Sequence, residues 1–339
     1  MLFNSLRLGK GSRMFAEIKC RKFLIMSILV ALIFSSFGCN QQEQHYQAVS
    51  LYVDAMMLKE VNEKEEALQR LLEAIKLDPK FAPAYSLQGD IYMEMDEYEK
   101  SAEAYESATK WDPWSFKDFF RLGKVRQVLK QFVEAIKAYI TACKLQPEHF
   151  DAHVNLAKCY YEVEDYDQAF KYGQMAQTID PNKSDSHLLL GDIFEIRKNH
   201  TQAITAYRRA LELEGNKPEI MVPLAAAYLR TEKYDAAQEL LEASLAIDAG
   251  DSKANQYMGF AYLKLKNVEL AIEHYEKAVE IDTNNWEAHK GLGVAYMLKS
   301  INNNDRTLKT RALEHWQVSL SIKPEQLKLR QLLKKYSEP

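Results

Sequence analysis

The chain is 339 residues long and carries 44 basic against 48 acidic side chains, a formal net charge of −4, so bulk electrostatics gives no pull toward nucleic acid. Its 12 Gly and 9 Pro are about half the usual frequency, while 47% of residues are apolar and 27% charged; this composition suits helices and excludes a β-sandwich, a collagen-like chain or a disordered chain. Four cysteines, Cys20, Cys39, Cys143 and Cys159, include no CxxC pair, which excludes a disulfide scaffold and gives no zinc or redox motif.

Lys19, Arg21 and Lys22 precede an uncharged run from Phe23 to Phe37, after which Gly38 and Cys39 lead into the polar stretch from Asn40 to Gln44. This order predicts a bacterial export signal over residues 1–38. The run of 15 residues is about 22 Å long as a helix, short of a hydrocarbon core of about 30 Å, so a permanent span fits it less well. Ser36-Phe37-Gly38-Cys39 resembles the lipobox of bacterial lipoproteins, in which a small residue precedes the cysteine whose thiol takes a diacylglyceryl group. The resemblance implies lipidation at Cys39, a membrane partner reached through that anchor, and a mature chain facing the periplasm, with residues 39–47 as anchored cysteine and polar tether. Asn40, in place of the Asp associated with inner-membrane retention in enteric bacteria, points to the outer membrane. A signal cleaved elsewhere and an uncleaved anchor are the alternatives.

From residue 48 onward a period of 34 governs the chain. Pro79, Pro113, Pro147 and Pro181 share one register; Ala67, Ala135, Ala169, Ala203, Ala237 and Ala271 share another, with Ser101 in the one missing place. Leu122, Leu156, Leu190, Leu224, Met258 and Leu292 form a third column, each followed by Gly or Ala, and Tyr92, Tyr160, Tyr228, Tyr262 and Tyr296 a fourth. These columns resemble the tetratricopeptide (TPR) repeat. Eight repeats are expected over residues 48–326, starting at Ala48, Ala82, Phe116, Phe150, Ser184, Pro218, Ser252 and Trp286, with seven extra residues in the last. The implied fold is all-α: a right-handed superhelical solenoid of antiparallel helix pairs. In it the small residue at the eighth position faces the small residue at the twentieth, and proline at the thirty-second ends the second helix. Leu329, Leu332, Leu333 and Tyr336, at i, i+3, i+4 and i+7, predict a capping helix within 327–339. Gly173 stands where sister repeats carry Tyr105, Tyr139, Tyr207, Leu241, Tyr275 and Trp316, which predicts a gap in the second helix of repeat four unless Tyr172 fills it.

No nucleotide-binding glycine loop, nucleophile elbow or zinc-deaminase constellation occurs, so no catalytic residue, metal ligand or cofactor is expected. His153, His187 and His289 share repeat position four, about 8–10 Å apart from repeat to repeat, too far to gather around one zinc, and are expected to be packing residues. Two buried thiols are expected at Cys143 and Cys159, with a disulfide between them as the alternative.

The TPR resemblance implies a non-catalytic scaffold or adaptor that binds partner segments in a concave groove lined by first helices, at repeat positions two, five, six, nine, twelve and thirteen. Lys117, Arg121, Lys124 and Lys158 form a basic cluster there, with Phe120, Asn155 and Tyr161 beside it; Arg126 adds to the charge, and Tyr52, Met56, Leu87, Met93, Val154, Leu188, Val222, Tyr257, Phe260 and Met297, with Phe120 and Tyr161, give the groove apolar area. The expected partner is a protein helix or extended segment with apolar and acidic groups, and the expected task is assembly of an envelope, secretion or pilus complex. The alternative is a periplasmic ligand-binding protein holding a glycan or small molecule, with Trp114 and Tyr161 as stacking platforms.

Overall fold

The computed structural model describes residues 41–337. These form seventeen helices and no strand, and none of the described helices is long and apolar enough to cross a membrane. They fall into two compact units, divided between Leu145 and Gln146. The first holds α1 (residues 41–60), α2 (Lys64–Leu77), α3 (Ala82–Glu94), α4 (Tyr98–Trp111), α5 (Phe116–Val128) and α6 (Phe132–Leu145). The second holds α7 (Phe150–Glu162), α8 (Tyr166–Ile179), α9 (Ser184–Ile196), α10 (His200–Glu214), α11 (Pro218–Arg230) and α12 (Tyr234–Ile247). It continues through α13 (Ser252–Lys264), α14 (Val268–Ile281), α15 (Trp286–Asn303), α16 (Arg306–Ile322) and α17 (Leu327–Ser337). Within each unit a first helix packs on its own second helix, and that second helix packs on the next first helix.

The sequence columns explain this stacking. Ala67, Ala135, Ala169, Ala203, Ala237 and Ala271 are all fully buried, and Ser101, in the one non-alanine place, is buried with its hydroxyl donating to the Gly89 carbonyl at 2.8 Å. The glycine at position eight accommodates more than the small residue opposite. An added Cβ on Gly123, Gly191 or Gly259 would meet the ring of Tyr139, Tyr207 or Tyr275 at 2.4 to 2.8 Å, and one on Gly293 would meet Trp316 at 2.4 Å. The flat face of a position-24 ring therefore replaces the missing side chain. At Gly173 the gap is closed by Leu190, whose Cδ2 lies 3.2 Å from an added Cβ; Tyr172 instead stacks on Tyr160 at 5.6 Å.

Turn chemistry repeats with the same period. Asn62, Asp96, Lys130, Glu164, Lys198, Glu232 and Lys266 all adopt φ between 57° and 65° between a first and a second helix. Between repeats, Asp78 and Asp112 in the first unit and Asp180, Asp248 and Asp282 in the second accept the backbone N–H two residues on, at 2.9 to 3.0 Å. The aspartate of each Asp-Pro pair thus folds the turn that the proline begins. Position four locks it from the other side. Tyr85 donates to the carbonyl of Pro79, and the Nε2 groups of His153, His187 and His289 bond the carbonyls of Pro147, Pro181 and Thr283 at 2.9 to 3.1 Å. The histidines expected merely to pack are therefore turn fasteners.

The extra residues of the last repeat do not form a loop. They lengthen α15 to 18 residues and α16 to 17, joined through Asn304 in the left-handed region. α17 closes the stack with Leu329 buried and Tyr336 packed on Trp316 at 6.1 Å, while Leu332 is exposed.

Candidate functional site

First helices carry the expected site residues, and the two units place them separately. In the first unit, Lys117, Phe120, Arg121 and Lys124 lie on α5. Lys117 and Arg121 both pair with Asp90 of α3, the lysine at 3.1 Å, and the Tyr105 hydroxyl donates to the same carboxylate at 2.5 Å. Asp90 is only 6% exposed, so the basic cluster contains a buried anion that ties two of its cations to the fold. Lys124 is exposed and leans over the Phe120 ring at 6.0 Å, which stacks on Phe116 at 5.6 Å. Arg126 does not join this surface: its guanidinium is drawn to Glu106 of α4 and to Gln131.

In the second unit, Asn155, Lys158 and Tyr161 lie on α7. Lys158 pairs with Asp185 at 2.7 Å. Tyr161 meets Tyr166 edge-on at 5.6 Å, and burial, with the nearby Asp192 charge, pushes its phenol up to about 12. Asp192 occupies on α9 the repeat position that Asp90 occupies on α3, and accepts a hydrogen bond from Tyr207 at 2.7 Å. Where the first unit supplies Lys117 and Arg121, however, α11 presents Glu219 and Pro223. Asp192 has no ion-pair partner among the described residues, and burial raises its carboxyl above the usual carboxylate range.

A further concavity lies along the second unit. A groove of about 660 Å³ opens across α11, α13 and α15, lined by Leu229 and Arg230, by Tyr257, Phe260, Leu263 and Lys264, and by Glu287, Lys290, Gly291 and Val294, with Tyr275 of α14 at its floor. Every one of the first-helix residues stands at one of the six groove positions. Part of the apolar area expected from the sequence is absent from the surface, because Leu87, Val154, Val222 and Met297 are buried in the stack, while Met56 stays exposed. Tyr257 and Phe260 do line the groove, and Phe260 is 38% exposed. Lys264 and Lys290 lie 5.4 and 5.8 Å over the rings of Phe260 and Trp286 and have no carboxylate partner among the described residues, whereas Arg230 pairs with Glu195 at 2.9 Å. The sequence did hold a signal for this site: Gly291 is the only glycine at repeat position six, where the preceding repeats carry Val53, Leu87, Arg121, Asn155, Leu189, Pro223 and Tyr257.

The remaining expected features place simply. Trp114 sits in the turn before α5, not on a first helix, and is 80% exposed. Cys143 and Cys159 are unpaired and buried, each thiol pushed up to about 12 by burial, far from a reactive thiolate. Among the described residues no group of three His, Cys, Asp or Glu side chains converges as a metal site would. The export signal and Cys39 lie outside the described residues.

Stacked helix pairs recurring at a 34-residue period, with a groove built from one face of successive first helices, define a helical repeat protein. The chain belongs to the tetratricopeptide repeat family: models described as tetratricopeptide or TPR repeat match residues 82–113, 116–184, 196–259 and 259–300. No curated protein matches it in sequence. Among solved structures it is similar to a chain of the APC/C hetero-tetramer Cut9-Hcn1, with a TM-score of 0.61 and 18% identity over 81% of this chain and 53% of that one, so it spans about half that relative's length. A tetratricopeptide repeat protein from Parabacteroides merdae gives a TM-score of 0.57 at 14% identity, over 76% of this chain and 99% of that one. Pseudomonas aeruginosa pilF gives 0.54 at 18%, over 61% and 94%. At these identities the likeness is one of fold.

Proposed function

We propose that the protein is a non-catalytic adaptor tethered at the bacterial cell envelope, which holds a segment of a partner protein in its first-helix groove and supports assembly of an envelope, secretion or pilus complex. The TPR fold supports a protein-interaction scaffold. The observation that carries the groove as the binding surface is the concavity across α11, α13 and α15, where the side chains of three successive repeats converge and both apolar and cationic groups stay uncovered. The lipobox resemblance at Gly38-Cys39 supports the tether. A photo-crosslinking residue placed at Phe260 in cells should capture a discrete protein partner, while the same residue at the half-buried second-helix position Gln238 should not. Capture from Gln238 alone would move the binding surface to the second helices.

A further inference from the structure

The floor of the second unit's groove differs from its sister repeats in one chemical respect. In three other repeats the position-24 tyrosine hydroxyl is bonded within its own repeat: Tyr105 to Asp90, Tyr139 to Gln127 and Tyr207 to Asp192. In repeat seven the equivalent acceptor positions hold Phe260 and Leu263, which cannot accept. Tyr275 is 3% exposed, and its hydroxyl makes no hydrogen bond among the described residues; the oxygen itself is not sealed from solvent, so its donor is open to the groove. The end of the ring lies at Gly291, where an added Cβ would fall 2.3 Å from Cζ and 2.6 Å from Oη. Only glycine at that groove position leaves room for the phenol, and both residues line the groove.

We infer that Tyr275 and Gly291 form a hydrogen-bonding notch for the main chain of an extended peptide segment that carries an aromatic or aliphatic anchor next to aspartate or glutamate. This inference rests on the groove-binding function proposed above and names its ligand. A phenol hydroxyl at the floor donates best to a carbonyl not already used by a helix, which selects extended backbone over a bound helix. Tyr257, Phe260, Leu263 and Val294 supply the apolar wall for the anchor. Lys264 and Lys290, which lack carboxylate partners among the described residues, supply the charge that acidic neighbours complement. The missing side chain at Gly291 lets the peptide backbone approach the hydroxyl.

The test uses the full-length protein and an array of octapeptides with a central Phe or Leu flanked by Asp or Glu, against matched octapeptides flanked by Lys, alongside a glycan array. Acid-flanked peptides should bind and lysine-flanked peptides should not. Tyr275→Phe keeps the ring, removes the unpartnered hydroxyl, and should weaken peptide binding about five-fold while leaving the melting temperature equal to or above that of the parent; a merely structural tyrosine would not separate the two readouts. The Lys264→Glu/Lys290→Glu variant should weaken binding further and remove its salt dependence. Equal binding of both peptide classes, parental affinity of Tyr275→Phe, or glycan binding in place of peptide binding would each overturn the notch. Peptide binding lost in Lys117→Glu/Lys124→Glu but not in the Tyr275 or Lys264/Lys290 variants would overturn it while leaving first-helix binding intact. Absence of any peptide binding would overturn the notch, and the crosslinking outcome at Phe260 would still decide the wider function.

Discussion

Two aspartates at the same repeat position show how much a single side chain depends on its neighbours. Asp90 is held by Arg121, Lys117 and the Tyr105 hydroxyl, so removing the arginine strands a buried anion. Arg121→Ala should lower unfolding free energy by about 2 kcal/mol, less than a fully buried pair would lose because solvent reaches part of the guanidinium. Lys117→Ala, at a more exposed cation, should cost under about 0.5 kcal/mol, and Asp90→Asn in the Arg121→Ala background should restore most of the loss. Urea midpoints of the four proteins measure this. Arg121 is therefore part of the fold's interior as well as of its surface, which composition and spacing did not disclose. Asp192 is the opposite case, since burial raises its carboxyl and the Tyr207 hydrogen bond and the charges of Lys253 and Lys158 offset that only in part. The folded state then holds the proton more tightly than the unfolded chain. Ionisation costs stability at pH 7, and the cost fades as pH falls through the raised folded value and is gone below an unfolded value of about 3.9. Asp192→Asn, which can still accept from Tyr207, should raise the melting temperature at pH 7 and lose that advantage near pH 4; an unchanged advantage at pH 4 would show that the gain is not electrostatic.

At the scale of the helix pair, glycine has two distinct uses. Gly191 faces the ring of Tyr207, with an added Cβ 2.4 Å from Cε1, and the ring is fixed by its hydroxyl's bond to Asp192. Gly191→Ala should therefore destabilise by about 1–2 kcal/mol, overpacking outweighing the gain in helix propensity. At Gly173 an added Cβ meets only the flexible end of Leu190 at 3.2 Å, and Gly173→Ala should stabilise by about 0.5–1 kcal/mol. Equilibrium urea unfolding of both variants checks the contrast, and a loss at both sites would mean that Leu190 cannot yield. The period and the small-residue columns were legible in sequence because every repeat must satisfy the same helix-packing distance. That Tyr rings, not only small residues, fill the space opposite position eight was not legible, because one column does not reveal which of its partners lies across the helix interface.

For the whole molecule, the proposed tether sets where the groove acts. Cys39→Ser should shift the protein from the membrane to the soluble fraction on cell fractionation, because acyl chains contribute about 0.8 kcal/mol per buried CH₂ and their loss leaves no comparable anchor; retention in the membrane fraction would replace the lipid with an uncleaved apolar segment. The amino-acid sequence by itself determined the family, the all-helical fold and the 34-residue period, since these follow from columns that recur and from Gly, Ala and Pro placed where backbone geometry admits little else. Through the TPR resemblance it also pointed to first helices as the proposed binding surface. Only the tertiary structure decided which first-helix residues are free to bind. Packing of each helix against its neighbours buries Leu87, Val154, Val222 and Met297, the buried Asp90 engages Lys117 and Arg121, the more exposed Asp185 engages Lys158, and an open groove whose Lys264 and Lys290 have no carboxylate partner among the described residues remains across α11, α13 and α15. The physical reason is that a repeat pattern fixes what every unit shares. A site arises where units differ, as at Gly291 and Tyr275, and a difference acquires meaning only when the neighbouring repeat lies against it.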